Sequence, residues 1–132
     1  MKKLLLVDDD VFLRDMYAIK FREAGFEVLA AETAEQALTT IVANTDLDVI
    51  LLDMIMPGMT GVELMKEITA TTPDLSATMI VLSNQGLESD RLAAEEAGAT
   101  GYIIKAEAIP SDVVKQVEEF LAANSNKTTK KY

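Results

Sequence analysis

The sequence predicts an α/β domain, a doubly wound parallel sheet with helices on both faces, and three observations predict it. Five short apolar runs recur along the chain, each the length of one strand. They are near-continuous in Leu, Ile and Val, as strands covered on both faces should be. Between them lie stretches whose apolar residues repeat at helical spacing. Such alternation implies parallel strand order.

The first strand reads Lys3–Val7, and the helix after it carries Leu13, Tyr17, Phe21 and Ala24 on one stripe. Residues 27–30 form the second strand, followed by a stripe of Ala34, Ala37, Leu38, Ile41 and Val42. The third strand, residues 49–52, stops at Asp53 and leads into the turn Met56-Pro57-Gly58. A helix over residues 61–70 then rests on Leu64, Met65 and Ile68. The fourth strand covers residues 79–82 and its helix residues 89–97. The fifth strand covers residues 101–104, before a helix from about residue 112 to 122 on Val113, Val117 and Phe120. Gly25 and Gly98 stand where helix C-termini favour a residue that tolerates positive φ. Residues 124–132, NSNKTTKKY, are polar and without periodicity, and are expected to form a flexible tail behind one domain over residues 1–123.

The 132 residues suffice for one domain with a real core, and 49% hydrophobic with 26% charged residues is ordinary for a globular protein. A formal charge of −10 argues against direct contact with nucleic acid or an anionic membrane. The absence of cysteine and histidine removes disulfides, thiolate nucleophiles, Cys/His zinc sites and imidazole triads. Chemistry must then rest on carboxylates, amines such as Lys105, hydroxyls and a hard metal. The run over residues 4–7 is too short for a signal segment or a membrane span, so a cytoplasmic location is expected.

In open α/β sheets, ligands bind outside the carboxyl ends of the strands. Five polar residues fall at those ends: Asp8 and Asp9, Asp53, Ser83 and Lys105. Successive separations of 45, 30 and 22 residues from Asp8 to Asp53, Ser83 and Lys105 each hold a strand–helix unit, so the five converge. Two full charges about 4 Å apart repel by roughly 4 kcal/mol at a surface-like dielectric, so clustered acids call for a cation, a proton or distance. Hard oxygen ligands select Mg2+. A carboxylate beside it can attack phosphorus to give an acyl phosphate, with metal and lysine balancing the charge on the equatorial oxygens. Taken singly, each residue has a plainer reading. Asp8 and Asp9 suit turns, Asp10 a helix cap, and Tyr102 a half-buried sheet position, while Met54, Met56 and Met59 suit space-filling. Joint placement is what favours a site.

The motifs LLLVDDD, VILLDMIMPGMTG, MIVLSNQG and AGATGYIIK, in this order and at these spacings, resemble the receiver domain of two-component response regulators over residues 2–121. The resemblance implies a flavodoxin-like (βα)5 fold with strand order 2-1-3-4-5. It implies Asp53 as phospho-acceptor, and Asp8, Asp9, Asp53 and the backbone carbonyl of Ile55 as a Mg2+ site. Ser83 would be the switch hydroxyl, Tyr102 the switch aromatic and Lys105 the lysine bound to the phosphoryl group. The implied role is a signalling domain rather than an enzyme, phosphorylated by a histidine kinase or histidine phosphotransfer protein. Its output would be a contact with a downstream protein through the last two helices and fifth strand. The expectation is a stand-alone receiver, monomeric or weakly dimeric on phosphorylation, with no direct nucleic acid or membrane contact.

The chain departs from that pattern in places. Ala106 follows Lys105 where the family has a cis proline, and a cis bond before a non-proline costs about 3 kcal/mol, so a trans bond and another path for residues 105–109 are expected. Asn84 replaces a small residue and would narrow the entry to Asp53. Ile55 and Gln85 stand where they influence the approach of water, and an apolar Ile55 cannot orient it, so slow self-dephosphorylation is expected. Three rivals differ in class. A receiver-like module could bind partners without phosphorylation. A Mg2+-dependent phosphohydrolase would need a general acid one turn after Asp53, which is missing. A nucleotide binder would need a G-x-G-x-x-G or P-loop motif, and neither occurs.

Overall fold

Asp8 and Asp53 both stand where a central strand with a buried apolar run ends at one edge of a parallel sheet, and the fold follows from those strands. The structure is a computed structural model and describes residues 1–84 and 86–130. In chain order the elements are β1 (Lys3–Val7), α1 (Val11–Glu23), β2 (Glu27–Ala31), α2 (Ala34–Ala43), β3 (Val49–Asp53), β4 (Ile55–Met56), β5 (Met59–Thr60), α3 (Gly61–Thr71), β6 (Thr78–Ser83), α4 (Glu88–Glu96), β7 (Ala99–Ile104) and α5 (Pro110–Lys130). The main sheet is parallel throughout, in the order β2-β1-β3-β6-β7. Counted over its own five strands this is 2-1-3-4-5, the flavodoxin-like order. β4 and β5 form a separate antiparallel hairpin around Pro57 and Gly58, whose φ of +81° suits glycine.

Alternating side chains of the central strands feed two cores. Leu5, Val7, Ile50, Leu52 and Val81 point to one face, covered by Ala34, Ala37 and Ile41 of α2, Leu64, Met65 and Ile68 of α3 and Ala94 of α4. Leu4, Leu6, Val49, Leu51, Ile80 and Leu82 point to the other, covered by Tyr17, Ala18 and Phe21 of α1 and Val113, Val114 and Val117 of α5. Phe21 meets Phe26 edge-on at 5.3 Å. The edge strands β2 and β7 are only partly buried, because each has one strand neighbour and incomplete helix cover. Among the described residues, no helix is long and apolar enough to cross a membrane.

The helix starts are fixed locally. Asp10 caps α1 by accepting the Leu13 N–H at 3.1 Å, as read from the sequence. Thr33 caps α2, and Thr60 with Glu63 forms a reciprocal capping box on α3. Gly25 and Gly98 adopt φ of +96° and +110° after α1 and α4.

Some boundaries differ from the pattern reading. Ala24 lies past the last turn of α1 and is exposed, with Ala18 taking the buried place. Val42, one step round the helix from buried Ile41, faces solvent. Strands β3 and β6 each extend one residue further, so Asp53 and Ser83 are ladder residues. The last helix continues past residue 122 to Lys130, since residues 124–130 hold neither proline nor glycine and a formed helix propagates at one bond per residue. Part of the segment expected as a tail is therefore helical, and Lys131 and Tyr132 lie outside the described residues.

Candidate functional site at the carboxyl ends of the strands

A cavity of about 370 Å3 opens at the carboxyl edge of the sheet, lined by Asp9, Asp10, Leu13, Asp53, Ile55, Ser83, Asn84 and Lys105. Asp8 leaves β1 and is 1% exposed, Asp53 closes β3 at 8%, and Ser83 closes β6 at 2%. Asp9, first in the turn to α1, is exposed. Parallel neighbours in register bring these ends level, with Val7 opposite Leu52 and Asp53 opposite Leu82.

Lys105 joins the acids. Its Nζ donates to Asp8 Oδ2 at 3.0 Å and to Asp53 Oδ2 at 3.3 Å, with its side chain 6% exposed. Burial by itself pulls the ammonium's pKa down, but the Asp53 charge and the hydrogen bonds and charge of Asp8 outweigh it and hold the pKa above its ordinary value. The Asp53 carboxyl is pushed up chiefly by burial, with Asp8 adding to the rise and Lys105 opposing it. Its Oδ1 accepts the Ile55 N–H at 3.5 Å.

One carboxylate oxygen from each of Asp8, Asp9 and Asp53 lies within 4.8 Å of the others. Oxygens sharing an octahedral Mg2+ at about 2.1 Å stand roughly 3 to 4 Å apart, so small rotations of these side chains suit them to a hard divalent ion. The set contains only oxygen donors, which favours Mg2+ over softer metals.

The loop after the lysine is a short turn. No peptide bond among the described residues is cis, and residues Lys105–Glu107 make a single 3-10 turn before α5. The expected trans bond at Ala106 is observed, and Lys105 still reaches both acids. Asn84 is exposed and lines the cavity, while Gln85 lies outside the described residues. Met54 and Met56 are buried and Met59 packs against them, in keeping with a filling role.

Tyr102 is not part of this cavity. It is half-buried on β7, opposite Val81, and lines a separate hollow with Arg91, Ala94 and Phe120 on the face between α4 and α5. Three further residues bear on the site without having been singled out for it. Arg14 donates to the Asp8 carbonyl at 3.0 Å. Tyr17 is buried where the charges of Lys105, Asp8 and Asp53 reach it, its pKa raised first by burial. Gly61 abuts the Asp53 backbone. Tyr17 showed itself only as a core residue, and Arg14 and Gly61 carry no pattern that periodicity could detect.

Comparison with known proteins adds a separate line of observation. A family model of the response regulator receiver domain matches residues 4–118. The phosphate regulon transcriptional regulatory protein PhoB of Pseudomonas aeruginosa is 36% identical over 104 residues, covering 79% of this chain and 45% of that protein. The transcriptional regulatory protein CpxR of Escherichia coli K12 is 36% identical over 107 residues, covering 80% and 43%. The chain thus spans about half the length of these relatives. Chemotaxis protein CheY1 of Helicobacter pylori is 33% identical over 104 residues, covering 78% of this chain and 84% of CheY1. Among solved structures, chemotaxis protein CheY4 of Vibrio cholerae matches with a TM-score of 0.84 and 28% identity over 91% of this chain and 98% of that one.

Proposed function

Because the chain belongs to the response regulator receiver family, a family of phospho-accepting signalling domains, we propose that Asp53 accepts a phosphoryl group from a phosphohistidine on a histidine kinase or histidine phosphotransfer protein. These 132 residues contain no histidine, so the donor imidazole lies outside them. One Asp53 oxygen attacks phosphorus, the P–N bond breaks, and the departing nitrogen keeps the electron pair. The product is an acyl phosphate on Asp53.

The observation that carries this reading is the shared lysine. A single buried ammonium reaches Asp8 and Asp53 together inside the cavity. Its raised pKa keeps it cationic across the physiological range, so it can balance charge on the transferring oxygens without giving up its proton. Asp8, Asp9, Asp53 and the Ile55 carbonyl would hold Mg2+, which when bound supplies charge neutralisation and orients phosphoryl oxygens. The Ser83 hydroxyl would donate a hydrogen bond to the new phosphoryl group.

Phosphorylation adds charge and strong acceptors beside Ser83 and Lys105. Tyr102, on the next strand over, would then bias the surface of α4, β7 and α5 toward a downstream protein. We take the domain as residues 1–123, since among the described side chains Leu121 is the last one packed on the core, and place it in the cytoplasm with its donor.

Intact mass after incubation with acetyl phosphate tests the reading. Wild type with Mg2+ should gain one phosphoryl group, and Asp53→Asn, or wild type in EDTA, should gain none. No gain on wild type from acetyl phosphate or from a phosphohistidine protein would overturn it.

A further inference from the structure

Asp8 has its polar atoms engaged on every side. Its Oδ1 accepts the Asp10 N–H at 2.9 Å, its Oδ2 accepts from Lys105, and its own N–H donates to Ala31 at 3.1 Å. Its carbonyl lies beyond the end of β1 and accepts from Arg14 Nη1 at 3.0 Å. The same Nη1 stands 3.9 Å from Glu32, the first residue after β2, and the Arg14 side chain is 14% exposed. One guanidinium therefore ties the turn between β1 and α1 to the turn between β2 and α2.

We propose that Arg14 is a positioning residue for the Mg2+ site. By holding the Asp8 carbonyl it fixes the plane of the Asp8–Asp9 peptide, and with it the direction in which the Asp9 carboxylate leaves the backbone. Asp9 is exposed, so its aim rests on its backbone rather than on packing. This inference rests on the reading of Asp8 and Asp9 as metal ligands. Groups that orient metal ligands from behind are worth about 10-fold or more in affinity. A planar guanidinium suits the task because its donors are fixed relative to one another, which a lysine ammonium does not offer.

Charge and position act in opposite directions here, which makes the proposal testable. A nearby guanidinium repels an incoming cation, so a residue acting through charge alone would bind Mg2+ less tightly when present than when removed. A positioning residue does the reverse. Calorimetric Mg2+ titration of wild type, Arg14→Met and Arg14→Lys, with melts of each in EDTA, separates them. Arg14→Met, which keeps an apolar stem, should bind Mg2+ about 10-fold more weakly. Arg14→Lys should fall between it and wild type.

Unchanged or tighter binding by Arg14→Met would overturn the proposal, whatever happens to the metal-free melt. If Arg14→Met does not fold, Arg14→Lys decides alone, and affinity equal to wild type overturns it. Wild type that binds no Mg2+ would overturn the receiver reading and this inference together. Normal wild-type binding with an indifferent Arg14 series would overturn this inference alone.

Discussion

The Lys105 ammonium sits 3.0 Å from Asp8 Oδ2, although the two are 97 positions apart in the chain, and both side chains are almost wholly buried. Asp53 is the second acceptor of the same ammonium at 3.3 Å. One cation thus holds two buried acids that would otherwise repel each other.

Removing that cation leaves buried carboxylates without their partner, and such breaks are strongly destabilising. Lys105→Met should lower metal-free stability by about 3 kcal/mol in urea denaturation. Mg2+ should then stabilise the variant more than it stabilises wild type, because a divalent ion compensates the same acids. Equal Mg2+ stabilisation of both proteins would contradict this.

The raised Asp53 carboxyl sets a pH dependence. An unfolded aspartate titrates near about 3.9. Between that value and its higher folded value the folded state binds more protons, so its contribution to stability falls as pH rises through the window. Asp53→Asn removes the cost of the ionised group. The metal-free variant should melt above wild type at pH 7, and the advantage should vanish below about pH 4. Paired melts in EDTA across that range check it, and an advantage unchanged at low pH would point to packing instead.

Gly61 admits no side chain. A Cβ there would lie 2.6 Å from the Asp53 carbonyl oxygen and 3.0 Å from Met54 Cα, both backbone. The Gly61 N–H also donates to the Met54 carbonyl at 2.7 Å, which holds the two segments together. Gly61→Ala should cost about 2 kcal/mol in chemical denaturation and weaken Mg2+ binding, since the atoms displaced belong to Asp53. Gly58→Ala is the contrast: its φ is +81° but the space is open, so stability should fall by about 1 kcal/mol with Mg2+ affinity kept.

Ile55 is 64% exposed at the cavity mouth and offers water no hydrogen bond. Ile55→Asn should change stability by no more than about 0.5 kcal/mol, yet shorten the lifetime of the acyl phosphate several-fold. Decay of the phosphorylated mass over time measures it. An equal lifetime would show that this position does not govern the approach of water.

The sequence by itself determined the order of strands and helices, because period-2 and helical repeats are local and each buried face writes its own pattern. It also determined that Asp8, Asp9, Asp53, Ser83 and Lys105 meet, since every strand end in a parallel sheet faces the same edge. The tertiary structure decided what each of them experiences. Asp8 is buried while adjacent Asp9 is exposed, and Lys105 reaches two acids from a turn that lacks the family's proline. Tyr102 faces a different hollow, Arg14 grips the Asp8 carbonyl, and Gly61 must be bare where it meets Asp53. These are contacts between segments distant in sequence or set by a turn's exact path. Their energies depend on burial and on ångström-scale approach, and neither leaves a periodic trace along the chain.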